Sequence, residues 1–223
     1  MNGVFPEVFA LGITIALSPM TIIAAILMLL TPRGRTVGLA FLIGWVAGLV
    51  IVEVVLLQLT GPAGVRERET GTWVDVVRLL AGVALLLFGL LNWRRRDPLV
   101  TPPLPAWTRM IDRLNPFLAL GLGIAWAGPS PKNLVLLGAA AVSITEASLP
   151  SSEEIAAVAC LAIAASLGVA IPVIWALYAG DAALKRLTLW RQWLIAYNAT
   201  IMAVVLAAAG ILLIAKSIAS LAG

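Results

Sequence analysis

Apolar positions in this chain do not alternate with polar ones; they gather into long runs. Six are marked: Val4–Thr31, Gly38–Thr60, Val74–Trp93, Phe117–Ile144, Ile155–Tyr178 and Leu194–Ala215. A run of at least about 18 apolar residues with few charges is long enough to cross a bilayer as a helix. Two of the six are interrupted near their middles. In the fourth, the stretch Gly128-Pro129-Ser130-Pro131-Lys132-Asn133 places two prolines where an unbroken helix tolerates neither. Each proline removes a backbone donor and clashes with the carbonyl one turn back. One helix is therefore predicted to end near Gly128 and another to begin at Pro131, with Ser130 at the cap position. Ser18-Pro19 breaks the first run in the same way, and Ser18 and Ser130 lie 112 residues apart in a chain of 223. Broken helices at corresponding places in two halves are the mark of a transporter built from repeats.

Composition agrees with a membrane protein. Hydrophobic residues make up 61% of the chain and charged ones 12%, against roughly 45–50% apolar in a soluble domain. The first run has no basic residues before it and is too long for a signal sequence, so it is expected to be a retained helix. The formal charge of +4 comes from short basic loops and gives no indication of nucleic-acid binding. Those loops alternate: ten Lys/Arg fall after the first, third and fifth runs, and three fall on the other side. Basic loops mark the cytoplasmic face, so both termini are expected outside a plasma membrane. Three spans per half is an odd number, so the second half enters the bilayer from the opposite side. The expected fold is all-α, with six transmembrane helices forming two inverted three-helix repeats. The repeats occupy residues 1–93 and 117–223, and residues 94–116 form an Arg- and Pro-rich cytoplasmic linker.

In that topology the segments starting at Pro19 and Pro131 both place a helix N-terminus near the midplane. Such an end carries unpaired amides and about half a positive charge. With Lys132 in the first turn of the second segment, the pair would make a centre that attracts anions. The candidate substrate residues are Ser18, Pro19, Thr21, Ser130, Pro131, Lys132 and Asn133; Met20 and Thr21 correspond to Lys132 and Asn133 under the 112-residue shift. The plainer reading is two proline kinks, with Lys132 paired to an acid or reaching the interface. Glu53, inside the second run, reads as a proton-coupling acid, as the partner of Lys132, or as a side chain reaching the outer interface. Pro172 is expected to kink the fifth span. Gly44 with Gly48, Gly82 with Gly89, and Ala203 with Ala207 are spaced for close helix approach. Trp73, Trp93, Trp107, Trp190 and Trp193 sit at or beyond run ends, as interfacial aromatics do.

With no histidine, and Cys160 alone inside an apolar run, neither a nucleophile–base pair nor a metal site is indicated. The chain is not expected to be an enzyme, and no cofactor is expected.

The run Leu11–Arg35, with Ser18-Pro19 at its centre, followed by Gly38-Leu-Ala-Phe-Leu-Ile-Gly-Trp45, resembles the glycolipid-addressing (GAP) proteins of actinobacteria. These belong to the lysine-exporter (LysE) superfamily. Pro131-Lys132-Asn133-Leu134 is similar to that family's Asn-Pro-Lys-Asn element, with Ser130 in the place of the first Asn. The resemblance implies a six-helix inverted-repeat protein that moves a glycolipid or small anionic substrate outward, by alternating access. It carries Ser18, Pro19, Pro131, Lys132 and Asn133 over as site residues. The expected partners are the bilayer, the substrate, a second copy in a homodimer, and lipid-export proteins. Export of an amino acid or small metabolite, or a non-transporting scaffold for a lipid-export complex, are the alternative readings.

Overall fold

The computed structural model describes residues 3–60, 72–94, 114–128 and 130–222. The described residues form helices. They are α1 (Val4–Ala16), α2 (Pro19–Leu29), α3 (Gly34–Thr60), α4 (Thr72–Arg94), α5 (Pro116–Ala127) and α6 (Pro131–Glu146). A long helical stretch, Ser151–Ala222, is divided at Gly180 into α7 (Ser151–Gly180) and α8 (Ala182–Ser220). Most of the linker, together with Trp73's side chain, Trp107 and Pro129, lies outside the described residues.

Among the described residues, three helices are long and apolar enough to cross a membrane: α3, α7 and α8. The pair α1 and α2, bent by 57° at the break, passes the same test together, as a broken span or a re-entrant loop. The chain is thus a multi-pass membrane protein. α8 begins well before the run that announced it, because Ala182–Trp193 continues the helix as an amphipathic extension.

Glycine sets the closest approach in the bundle. A methyl group on Gly44 would stand 2.1 Å from the carbonyl oxygen of Leu120, and one on Gly123 would stand 2.4 Å from that of Phe41. Side-chain carbon cannot come that near, so α3 and α5 touch backbone to backbone. Gly82 and Gly210 do the same for α4 and α8, and Gly12 and Gly168 for α1 and α7. Without a hydrophobic drive between helices in lipid, this contact area is a main source of cohesion. The core along these seams holds Phe41, Trp45, Leu49, Leu136 and Leu161, all buried. Phe117, Ile155, Ile163 and Tyr178 face outward, as lipid-facing positions do.

Pro172 lies inside the helix, and the backbone stays helical through it. The non-helical residue of that stretch is Gly180, at φ 54° and ψ −131°. Only glycine adopts that backbone without a steric penalty, so the turn of the chain falls there.

Candidate functional site

Both proline breaks form as the sequence predicts, and with matching geometry. Ser18 has φ −81° and ψ 105°, Ser130 has φ −73° and ψ 119°, and each is followed by a proline in the first helical position. The extended serine turns the chain, and the proline starts the next helix without needing a donor. Neither serine hydroxyl caps its helix. The first-turn amides of α2 and α6 are therefore free of side-chain caps, which is what an anion at a helix N-terminus requires.

Lys132 and Asn133 follow on the first turn of α6. The ammonium nitrogen of Lys132 is buried and has no hydrogen-bond partner among the described residues. Asn133 is 2% exposed. Its amide nitrogen reaches back over the break to the carbonyl of Ala127, at 3.3 Å, while its Oδ1 is buried and unpartnered. Pro131 is on the exposed side and Ser130 is half-buried.

α3, the helix that carries Glu53, packs on the same break. Gly48 packs on Ala127, and Val52 lies 3.4 Å from where a side chain on Gly128 would begin. Glu53, next along, is 1% exposed, and neither carboxylate oxygen has a partner among the described residues. No ion pair joins Glu53 to Lys132. Glu53, Lys132 and Asn133 are thus each left with a buried polar atom that has no partner among the described residues. Buried polar groups are normally paired, and leaving them unmade costs free energy.

Ser18, Pro19 and Thr21 are buried too, but with other neighbours. A methyl group on Gly168 of α7 would stand 2.1 Å from the Ala16 carbonyl and 3.3 Å from Ile22, so the first break rests on α7. The second rests on α3. Among the described residues α1, rather than α2, packs on α6.

The sequence reading passed over a second polar region. Arg78 of α4, only 4% exposed, donates to Asp75 at 3.1 Å and to Glu146 at the end of α6, at 2.6 Å. Ser220 donates to the Asp75 carboxylate at 2.7 Å, and Ser217 donates to the Asp75 backbone carbonyl. Beside them Glu7 of α1 accepts from Ser143 of α6, at 2.7 Å, and from the ammonium of Lys216 on α8. Thr60 and Thr145 share a hydrogen bond of 3.1 Å between α3 and α6. These bonds lace five helices together at one end of the bundle. Arg78 lies within the third apolar run, and an arginine there was the one local signal. Glu7 and Lys216 are 209 positions apart, and no local pattern links them.

The opposite end carries Arg33 and Arg35. Among the described residues, no cluster of His, Cys, Asp and Glu fit for a metal is present.

Comparison with curated proteins and with solved structures returns no match. The family described as Sap, sulfolipid-1-addressing protein, matches residues 8–219. That span takes in both breaks, Glu53 and all of the laced end but Glu7 and Ser220, and the chain belongs to the sulfolipid-1-addressing protein family.

Proposed function

We propose that this protein is a membrane translocase for an anionic, lipid-linked substrate, a glycolipid or sulfolipid, and that it works by alternating access. The reading has six crossings: α1 with α2, α3, α4, α5 with α6, α7, and α8. The interhelical bonds support it. They gather the starts of α1 and α4 and the ends of α3, α6 and α8 at one end. Leu29 against Gly38, and Arg35 against Gly180, gather the junctions α2–α3 and α7–α8 at the other. Successive segments therefore run in opposite directions, and three of them in each half make an inverted repeat. Positive-inside makes the arginine-bearing end cytoplasmic.

The observation that carries the mechanism is the buried, unpartnered ammonium of Lys132 beside the uncapped start of α6. A sulfate or carboxylate of the substrate head group would accept from that ammonium and from the open amides, while Asn133 fixes its orientation. Glu53 across the junction is the group able to exchange a proton as the substrate charge arrives or leaves. The laced end acts as the shut gate, and rocking of the halves would break its ion pairs and open it.

The test replaces Lys132 by Ala and by Gln, in cells whose exported lipids are profiled. A charge-assisted hydrogen bond contributes about 1.5–3 kcal/mol, so export should fall at least about tenfold at unchanged protein level. Normal export by both variants would end the anion-site reading.

A further inference from the structure

At the arginine-bearing end a cavity of about 450 Å³ lies between the α2–α3 turn and the α7–α8 junction. That is within the range of small-ligand pockets, about 300–1,000 Å³. Its polar side is Thr31, Arg33, Arg35 and Thr36, and its apolar side includes Ala176 and Leu184. The Thr31 and Thr36 hydroxyls donate to the backbone carbonyls of Met28 and Arg33. The Gly34 and Val37 amides donate to the carbonyls of Thr31 and Arg33, which leaves the two guanidinium groups as the cavity's charged donors. Among the described side chains, no carboxylate pairs with either arginine.

Gly180 keeps this cavity open. At φ 54° it turns the chain between α7 and α8, and a methyl there would stand 3.0 Å from an Arg35 nitrogen. The depth of the cavity is marked by aromatic rings. Trp175 and Trp190, on either side of Gly180, stack at 5.5 Å between ring centres. Tryptophan favours the boundary between hydrocarbon and head groups. Tyr178 and Leu189, both well exposed, continue outward as an apolar wall.

We propose that this cavity binds the head group of an anionic membrane lipid, with a phosphate or sulfate ester held by Arg33 and Arg35 and its acyl chains lying along α7 and α8. Guanidinium forks match tetrahedral oxyanions in shape as well as charge. The apolar floor and the interfacial depth select an amphiphile over a free ion. The site is separate from the Lys132 junction, and neither proposal depends on the other.

The experiment is native mass spectrometry of the full-length protein with added phosphatidic acid, phosphatidylcholine or inorganic sulfate. The protein should retain one phosphatidic acid in preference to phosphatidylcholine by at least about tenfold, the factor that one charge-assisted pair supplies. R33Q/R35Q should lose that preference. A176F, which fills the floor and leaves both arginines in place, should lose it as well, and covers the case in which the double variant fails to insert. R94Q removes a basic residue that does not line the cavity and should keep the preference. Retention of the preference by A176F and by R33Q/R35Q would overturn the proposal. So would displacement of the lipid by inorganic sulfate at equal concentration, which would mark a free-anion site.

Discussion

Arg78 of α4 and Glu146 of α6 meet at 2.6 Å at the end of two helices that are otherwise lightly packed on each other. The arginine is buried to 4% exposure and also holds Asp75. Arg78 and Asp75 form a buried pair, and Glu146, at 36% side-chain exposure, joins it from the rim. Removing one partner of a buried pair costs roughly 3–5 kcal/mol, because the other charge is left uncompensated. R78L should therefore lower thermal stability in detergent by about that amount. R78K, which keeps the charge but loses the fork, should fall between. Equal melting of R78L and the parent protein would show the cluster to be energetically idle.

The same ion pairs predict a change in accessibility. If the laced end is the shut gate, loosening it should expose what lies beneath. In an E7Q/E146Q variant, a cysteine placed at Ser143 should react with an impermeant thiol reagent several-fold faster than in the S143C background alone. Ser143 is 2% exposed and bonded to Glu7, so its protection depends on those contacts. An unchanged rate would place the gate elsewhere.

Helix contact in the first half can be tested at Gly44. A methyl there would collide with the Leu120 carbonyl, a backbone atom without freedom to swing away. G44A should cost about 1–3 kcal/mol by overpacking. G121A is the matched control on the facing helix, since nothing lies within 4 Å of a methyl at that place. It should change stability by less than about 0.5 kcal/mol. Equal effects would mean that α3 and α5 separate easily.

How much of this was legible in the sequence depends on how local each cause is. Proline acts on its own helix, so Ser18-Pro19 and Ser130-Pro131 announced both breaks, and the extended serines at each are the result. Hydrophobic runs announced the spans for the same reason. Pro172 announced no break, because its missing donor leaves the helical backbone of that stretch in place. The break at Gly180 depends on a left-handed backbone that nothing in Ala179-Gly180-Asp181 distinguishes from other glycines. Lys132 and Glu53 stood out as charges inside apolar runs, but their lack of partners is a matter of packing. The Glu7, Ser143 and Lys216 cluster draws on the first, the middle and the last part of the chain, and only folding brings it together.

Glu53 offers the sharpest test of coupling. It is 1% exposed, on the same face of α3 as Leu49 and Leu57, with no bonded partner among the described residues. A buried carboxylate without a bonded partner is costly to keep charged, so its protonation would be tied to what occupies the junction. Glutamine has nearly the same shape and cannot exchange a proton. E53Q should therefore fold as well as the parent protein, or slightly better, and should translocate substrate at a rate independent of pH. E53D keeps the acid and should keep the pH dependence, with a lower rate because the carboxylate is withdrawn by one methylene. The rate is measured across pH 5.5–8.5 in vesicles (about three decades of proton concentration, within which a coupled carrier responds). If E53Q retains the parent's pH profile, the proton enters by another residue and Glu53 serves the packing of α3 alone.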